Sequence, residues 1–242
     1  MENSYPKFLN SVFQMFDLPI WFAIIIALIP ALFFFLYISR LKENTLLAFI
    51  LGGGCWFVAL IARLPLIQLP IIFYGENFSS NLLYLSYTSL LAGFFEENIR
   101  YFCIKKIHFV RKDLKHVLSL GLGWGFIEAF LLYGLNVIAL LILNMESLTF
   151  MQLLPGALER NFAIIFHSII SIIIYYALFS KALLFLSILL HTILNLSAIL
   201  ILLYTENVWF TEAIIFIFVI FVVFIYLIIY RKFQNQVSKN LL

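Results

Sequence analysis

Long apolar stretches, separated by short polar connections, run the length of the 242-residue chain. A membrane-spanning helix needs about 20 mainly apolar residues, and seven stretches meet that length: roughly 18–38, 46–70, 82–104, 117–143, 158–180, 182–204 and 208–230. The pattern predicts an all-α fold, a polytopic membrane bundle of about seven transmembrane helices that uses residues 1–242 as a single integral membrane domain. The second stretch is the least regular, because Arg63, Pro65 and Pro70 predict a kink or an early end where proline removes a helical hydrogen bond. The fifth and sixth are almost continuous, and length rather than a breaker residue divides them at Ser180 and Lys181. No internal repeat is visible.

Composition excludes a water-soluble fold. The chain is 64% hydrophobic and 11% charged, against roughly a quarter charged in soluble domains, and its mean hydropathy is +1.09. The net charge of +3 does not point to a nucleic-acid partner, because the basic residues cluster beside apolar runs, where they set orientation. Lys105, Lys106, Arg111, Lys112 and Lys115 make the connection after the third stretch the most basic. Placing it in the cytoplasm puts Arg40, Lys42, Lys181, Arg231, Lys232 and Lys239 inside as well, and leaves Lys7 and the boundary residue Arg160 outside. The expectation is a multi-pass protein of the cell membrane, N-terminus outside and C-terminus cytoplasmic. Its start, Met1 to Pro6, lacks the basic region and cleavage site of a secretory signal, so the first apolar run is expected to remain in the mature protein.

An ionisable side chain within the bilayer costs a few kcal/mol, so each one calls for a partner or a function. The third stretch carries Glu96, Glu97 and Arg100, the fourth Glu128, the fifth His167, and the sixth His191 followed four residues later by Asn195. At 1.5 Å per residue from the cytoplasmic ends, Glu96 and Glu97 lie about 11 Å deep, His191 about 14 Å, Glu128 about 16 Å and His167 about 20 Å. Four antiparallel helices thus deliver carboxylates and imidazoles to one layer. Two readings stay open. Glu96 or Glu97 can pair with Arg100 on one helix face, while His167 with Ser171 and His191 with Asn195 make ordinary polar contacts. Alternatively, two histidines and two or more glutamates form the side-chain set that binds zinc and activates water.

The remaining polar and small residues have simpler readings. Gly121, Gly123 and Gly125 do not form a nucleotide-binding loop and are expected to permit close helix approach. Cys55 and Cys103 have no metal-ligand spacing and read as reduced filler. His108 and His116 fall in the basic connection and read as solvated, and Arg63 has no evident partner.

The segment Gly93-Phe94-Phe95-Glu96-Glu97-Asn98-Ile99-Arg100 resembles the EExxR signature of the YhfC family of intramembrane metalloproteases, within the wider group of PrsW-like and CAAX prenyl proteases. Gly121 to Ala129 resembles its glycine-rich helix ending in Glu-Ala, Glu159-Arg160 through Ala163 to His167 and Ser171 its ERxxAxxxHxxxS pattern, and His191 to Asn195 its HxxxN. The resemblance covers about residues 45–200. It implies hydrolysis of a peptide bond within the bilayer, with Glu96 as general base supported by Glu97 and Arg100, and Asn195 stabilising the oxyanion. Glu128, His167 and His191 would be ligands of metal or water, with Zn(2+) the implied cofactor. A peptide or a membrane protein would be the substrate and membrane lipid the surroundings. The chain departs from the resemblance at Trp124, where YhfC relatives often carry His and the PrsW pattern has Phe. One candidate ligand is thereby absent.

Two other classes use the same residue types. A non-catalytic scaffold, like the distantly related seven-helix subunit of gamma-secretase, would use the embedded polar groups to hold helices together. A proton-coupled transporter would use them as relays, but seven unlike spans show none of the duplication common in such folds.

Overall fold

A computed structural model describes residues 18–40, 42–143 and 149–240. The expected start of the chain and Lys7 lie outside the described residues. Those described are helical almost throughout: α1 Leu18–Ser39, α2 Glu43–Tyr74, a 3-10 turn Glu76–Ser80, α3 Leu82–Lys106, α4 His108–Lys112, α5 Leu114–Ala129, a π-helical turn Phe130–Gly134, α6 Leu135–Leu143, α7 Phe150–Tyr176, α8 Ala182–Thr205 and α9 Val208–Asn240. Helices α5 and α6 continue through the π turn as one span, 114–143.

Among the described residues, six spans are long and apolar enough to cross a membrane. The other long helix, α3, has 25 residues and is about 37 Å long at 1.5 Å per residue. It is set apart by charge rather than by length, since it carries Glu96, Glu97, Arg100, Lys105 and Lys106. It packs against α2 and α8. At the centre, α5 lies between α2 and α7, with α1 laid over α5 and α7 and with α9 on the outer side of α7 and α8. The protein is a multi-pass helical membrane bundle.

Small residues set the spacing at this centre. A Cβ added to Gly123 would stand 1.8 Å from the Phe49 carbonyl oxygen, and one added to Gly52 would stand 2.0 Å from that of Leu120, so α2 and α5 touch backbone to backbone. On the opposite face of α5, Gly121 and Gly125 meet the backbone of α7 at Ser168 and Ile164. The glycines therefore allow the close approach expected of them. Gly123→Ala should push α2 from α5 and lower stability by about 1–3 kcal/mol or more, the usual range for overpacking. Thermal unfolding in detergent checks this against Gly54→Ala, where the added Cβ meets nothing within 4 Å and the midpoint should hold.

Three sequence expectations need correction. Helix α2 neither ends nor breaks at Pro65 and Pro70, both of which lie inside it. Pro70 leaves the Leu66 carbonyl without its helical donor, and the Tyr87 hydroxyl supplies one at 3.0 Å. Tyr84 donates to the neighbouring Ile67 carbonyl at 3.3 Å. Helix α7 begins at Phe150, about two turns before the expected 158, because Gln152 Oε1 caps its first turn by accepting from the Thr149 backbone N–H at 2.9 Å. Arg160 consequently sits inside the span rather than at its boundary, with only 12% of its side chain exposed. His116 is half-buried instead of solvated, its Nδ1 lying 2.6 Å from the Phe109 carbonyl oxygen.

Candidate active site

Five helices supply the site: α2, α3, α5, α7 and α8. Neighbouring residues diverge by about 100° around a helix, so Glu96 and Glu97 of α3 face different partners. Glu97 is fully buried and accepts from Arg100 Nη1, one turn on, at 2.6 Å. It also accepts from His191 Nδ1 of α8 at 2.6 Å. Glu96, 2% exposed, accepts from Arg63 Nη1 of α2 at 2.7 Å and from Trp124 Nε1 of α5 at 2.9 Å. One turn beyond Trp124 stands Glu128, which accepts from Trp56 Nε1 at 3.0 Å and from Arg160 Nη1 of α7 at 3.3 Å. Arg160 also pairs with its neighbour Glu159. His167, two turns along α7 from Arg160, lies between Arg100 Nη2 at 2.9 Å and Glu128 Oε2 at 2.8 Å.

Electrostatics explains why this cluster can exist away from water. Three of the embedded carboxylates face a guanidinium: Glu96 faces Arg63, Glu97 faces Arg100, and Glu128 faces Arg160, which Glu128 shares with Glu159. Removing one partner of a buried pair costs about 3–5 kcal/mol because it strands the other. The guanidinium of Arg100 also lies over Trp124, 4.2 Å from the ring centroid, a favourable cation–π contact.

Hydrogen-bond roles follow from what each group can donate. An ionised carboxylate only accepts, so His191 carries its proton on Nδ1, toward Glu97. In the neutral imidazole Nε2, 3.9 Å from Glu96 Oε2, carries the lone pair. A carboxylate behind the imidazole, fixing its tautomer, is the usual support of a metal-binding histidine. Arg100 only donates, so Nδ1 of a neutral His167 accepts and its Nε2–H points to Glu128.

Glu96, His167 and His191 each offer one ligand atom, and these atoms lie within 4.8 Å of one another. One carboxylate and two imidazoles are a donor set that hydrolytic zinc sites use, with ligand bonds of about 2.0–2.2 Å. The residues fit such an ion in type and grouping. His191 is already oriented for it, whereas His167 has to exchange its contact with Arg100 or Glu128.

A cavity of about 60 Å³ opens beside this group, lined by Glu128, Arg160, His167, His191, Asn195 and Ile215 among others. At about 10–15 Å³ per water it has room for a few molecules. Asn195, one turn along α8 from His191, is half-buried on its wall and makes no side-chain hydrogen bond among the described residues. The seven residues singled out from the sequence are thus brought to one place: six form a connected network, and Asn195 faces the adjoining cavity. Glu128 stands behind His167 and outside the group of three that can share an ion.

Reading from residue types alone assigned no role in the site to Arg63, Trp56 or Trp124, all of which touch it. An arginine inside a span is itself a signal, because its cost requires a carboxylate partner. Trp124 occupies the position where a further histidine was expected by resemblance. It supplies an N–H to Glu96 there instead of a lone pair.

Fold and site together define a multi-pass helical membrane protein with a buried cluster of glutamates, histidines and arginines. The family profile of the YhfC intramembrane metalloproteases matches residues 24–146, half of the chain, and the chain belongs to that family. The match includes Glu96, Glu97, Arg100 and Glu128, while His167, His191 and Asn195 lie beyond it. No curated protein and no solved structure matches the chain.

Proposed function

We propose that the protein hydrolyses a peptide bond of a membrane-embedded substrate segment at the cavity between α7, α8 and α9. The observation that carries this reading is the convergence of Glu96, His167 and His191 beside a cavity that also holds the unpaired amide of Asn195. Glu96, His167 and His191 would hold a zinc ion, which supplies Lewis-acid activation of water and of the scissile carbonyl when bound.

The chain's own residues then divide the work. Glu128 takes the proton of the attacking water, because it lines the cavity, whereas Glu96 is closed off by Arg63 and Trp124. A carboxylate has about four lone-pair sites. Trp56, His167 and Arg160 occupy three on Glu128, and the fourth is left for water. Glu96 and Glu128 thereby exchange the roles that the resemblance implies. Asn195 donates its amide to the oxyanion of the tetrahedral intermediate. Glu97 and Arg100 act through the histidines, holding His191 and His167 in orientation.

The test is cleavage of membrane-spanning peptides by protein reconstituted in liposomes, with products identified by mass. Wild-type protein should cut within the apolar segment, and Glu128→Gln should lower turnover by about 10²–10⁴-fold, as loss of a general base does. A Glu128→Gln protein that cuts at the wild-type rate would overturn the assignment. A second reading, a scaffold that uses the same network as a polar clamp, is favoured by His167, both of whose nitrogens already have protein partners. Under that reading no peptide is cut, and Glu128→Gln lowers only stability.

A further inference from the structure

The chain has two cysteines, and the fold brings them together. Cys55 of α2 and Cys103 of α3 are 48 positions apart, yet their sulfurs are 3.3 Å from each other. The contact belongs to the antiparallel register that also pairs Arg63 with Glu96 and Tyr87 with the Leu66 carbonyl, so the packing of the whole α2–α3 hairpin enforces it. Neither thiol takes part in the proposed hydrolysis. Neither belongs to a group of metal-binding side chains among the described residues. Cys103 is buried and Cys55 half-buried, so one sulfur can be approached from outside and the other is held directly behind it.

We propose that Cys55 and Cys103 form a redox-active pair, which a hydroperoxide oxidises to an intrachain disulfide joining α2 to α3. Cys55, as thiolate, attacks a peroxide oxygen; the O–O bond breaks, and the sulfur becomes a sulfenic acid while the other oxygen leaves as water when the oxidant is hydrogen peroxide. Cys103 then attacks the oxidised sulfur, the S–O bond breaks, and a second water departs with the remaining thiol proton. The dithiol loses two electrons and the peroxide gains them. An accessible sulfur beside a resolving thiol is the arrangement such chemistry requires.

The position gives the bond a consequence. Cys103 lies one turn beyond Arg100, and Cys55 immediately precedes Trp56, which donates to Glu128. A covalent link there fixes the two helices at the level where they support the polar network, and it closes a long loop in the unfolded chain, which favours the folded state.

The experiment uses the full chain in detergent, purified under reducing conditions and exposed to a small excess of hydrogen peroxide. Intact mass after maleimide treatment counts the thiols. Two maleimide additions before oxidation and none after, with a monomer lighter by two hydrogens and both thiols restored by dithiothreitol, is the expected result. In Cys103→Ser, Cys55 should stop at the sulfenic acid and be trapped by dimedone. Two thiols persisting through peroxide treatment of a protein still helical by circular dichroism would overturn the proposal. So would loss of thiols only through intermolecular dimers or separate sulfinic acids.

Discussion

Glu96→Gln should reduce cleavage by about 10³-fold or more, toward the upper end of what a single group in a hydrolytic site contributes. The carboxylate does two things that an amide cannot. It offers Oε2 toward His191 Nε2, 3.9 Å away, as an anionic ligand atom, and it balances Arg63 through Oε1 at 2.7 Å. A glutamine retains one acceptor oxygen, so its NH₂ must face either Arg63 or Trp124, both of which only donate. Stability should therefore fall too, by about 3–5 kcal/mol, because the Arg63 guanidinium is left without its counter-charge. The double variant Arg63→Met/Glu96→Gln separates the two effects. Removing both members of a buried pair is often close to neutral, so the double variant should recover most of the unfolding midpoint while remaining inactive. Recovered stability with recovered cleavage would show that Glu96 matters only as a partner of Arg63 and would remove it from the centre.

The spans were legible because lipid allows few solutions: an apolar run of about 20 residues has to satisfy its own backbone, and a helix does so. Depth along those helices was enough to bring Glu96, Glu97, Glu128, His167 and His191 into one layer. What hydropathy could not give was the identity of each partner. Arg63 lies inside the second apolar stretch, two residues before Pro65, and only the antiparallel packing of α2 on α3 shows that it meets Glu96. The early start of α7 was written in Thr149 and Gln152, a capping spacing masked by the polar residues around it. The cysteine pair depends on the α2–α3 register, a tertiary fact that no local pattern encodes. The same holds for the division of roles between Glu96 and Glu128, which rests on which carboxylate reaches the cavity.

Purified wild-type protein supplied with zinc should carry about one ion per chain, and His191→Ala should carry none. The reason is the orientation of His191. Its Nδ1–H is committed to Glu97 at 2.6 Å, so in the neutral imidazole the lone pair is on Nε2, 3.9 Å from Glu96 Oε2. Truncation to alanine removes one of three donors and leaves too few to hold the ion. Glu97→Gln tests the same geometry from behind: the ligand atoms stay, but the carboxylate that orients the imidazole is lost. Affinity should then fall by about 10–100-fold without disappearing, the usual cost of losing an outer-shell partner. Mass spectrometry of the metal content, and zinc titration of the chelator-stripped protein followed by its unfolding midpoint, give both numbers. Because an ion that binds only the folded state raises stability with its concentration, wild type should gain thermal stability on zinc addition. His191→Ala should gain none. A folded His191→Ala protein that binds zinc as tightly as wild type would place the ion elsewhere and leave the cluster a structural clamp of paired charges.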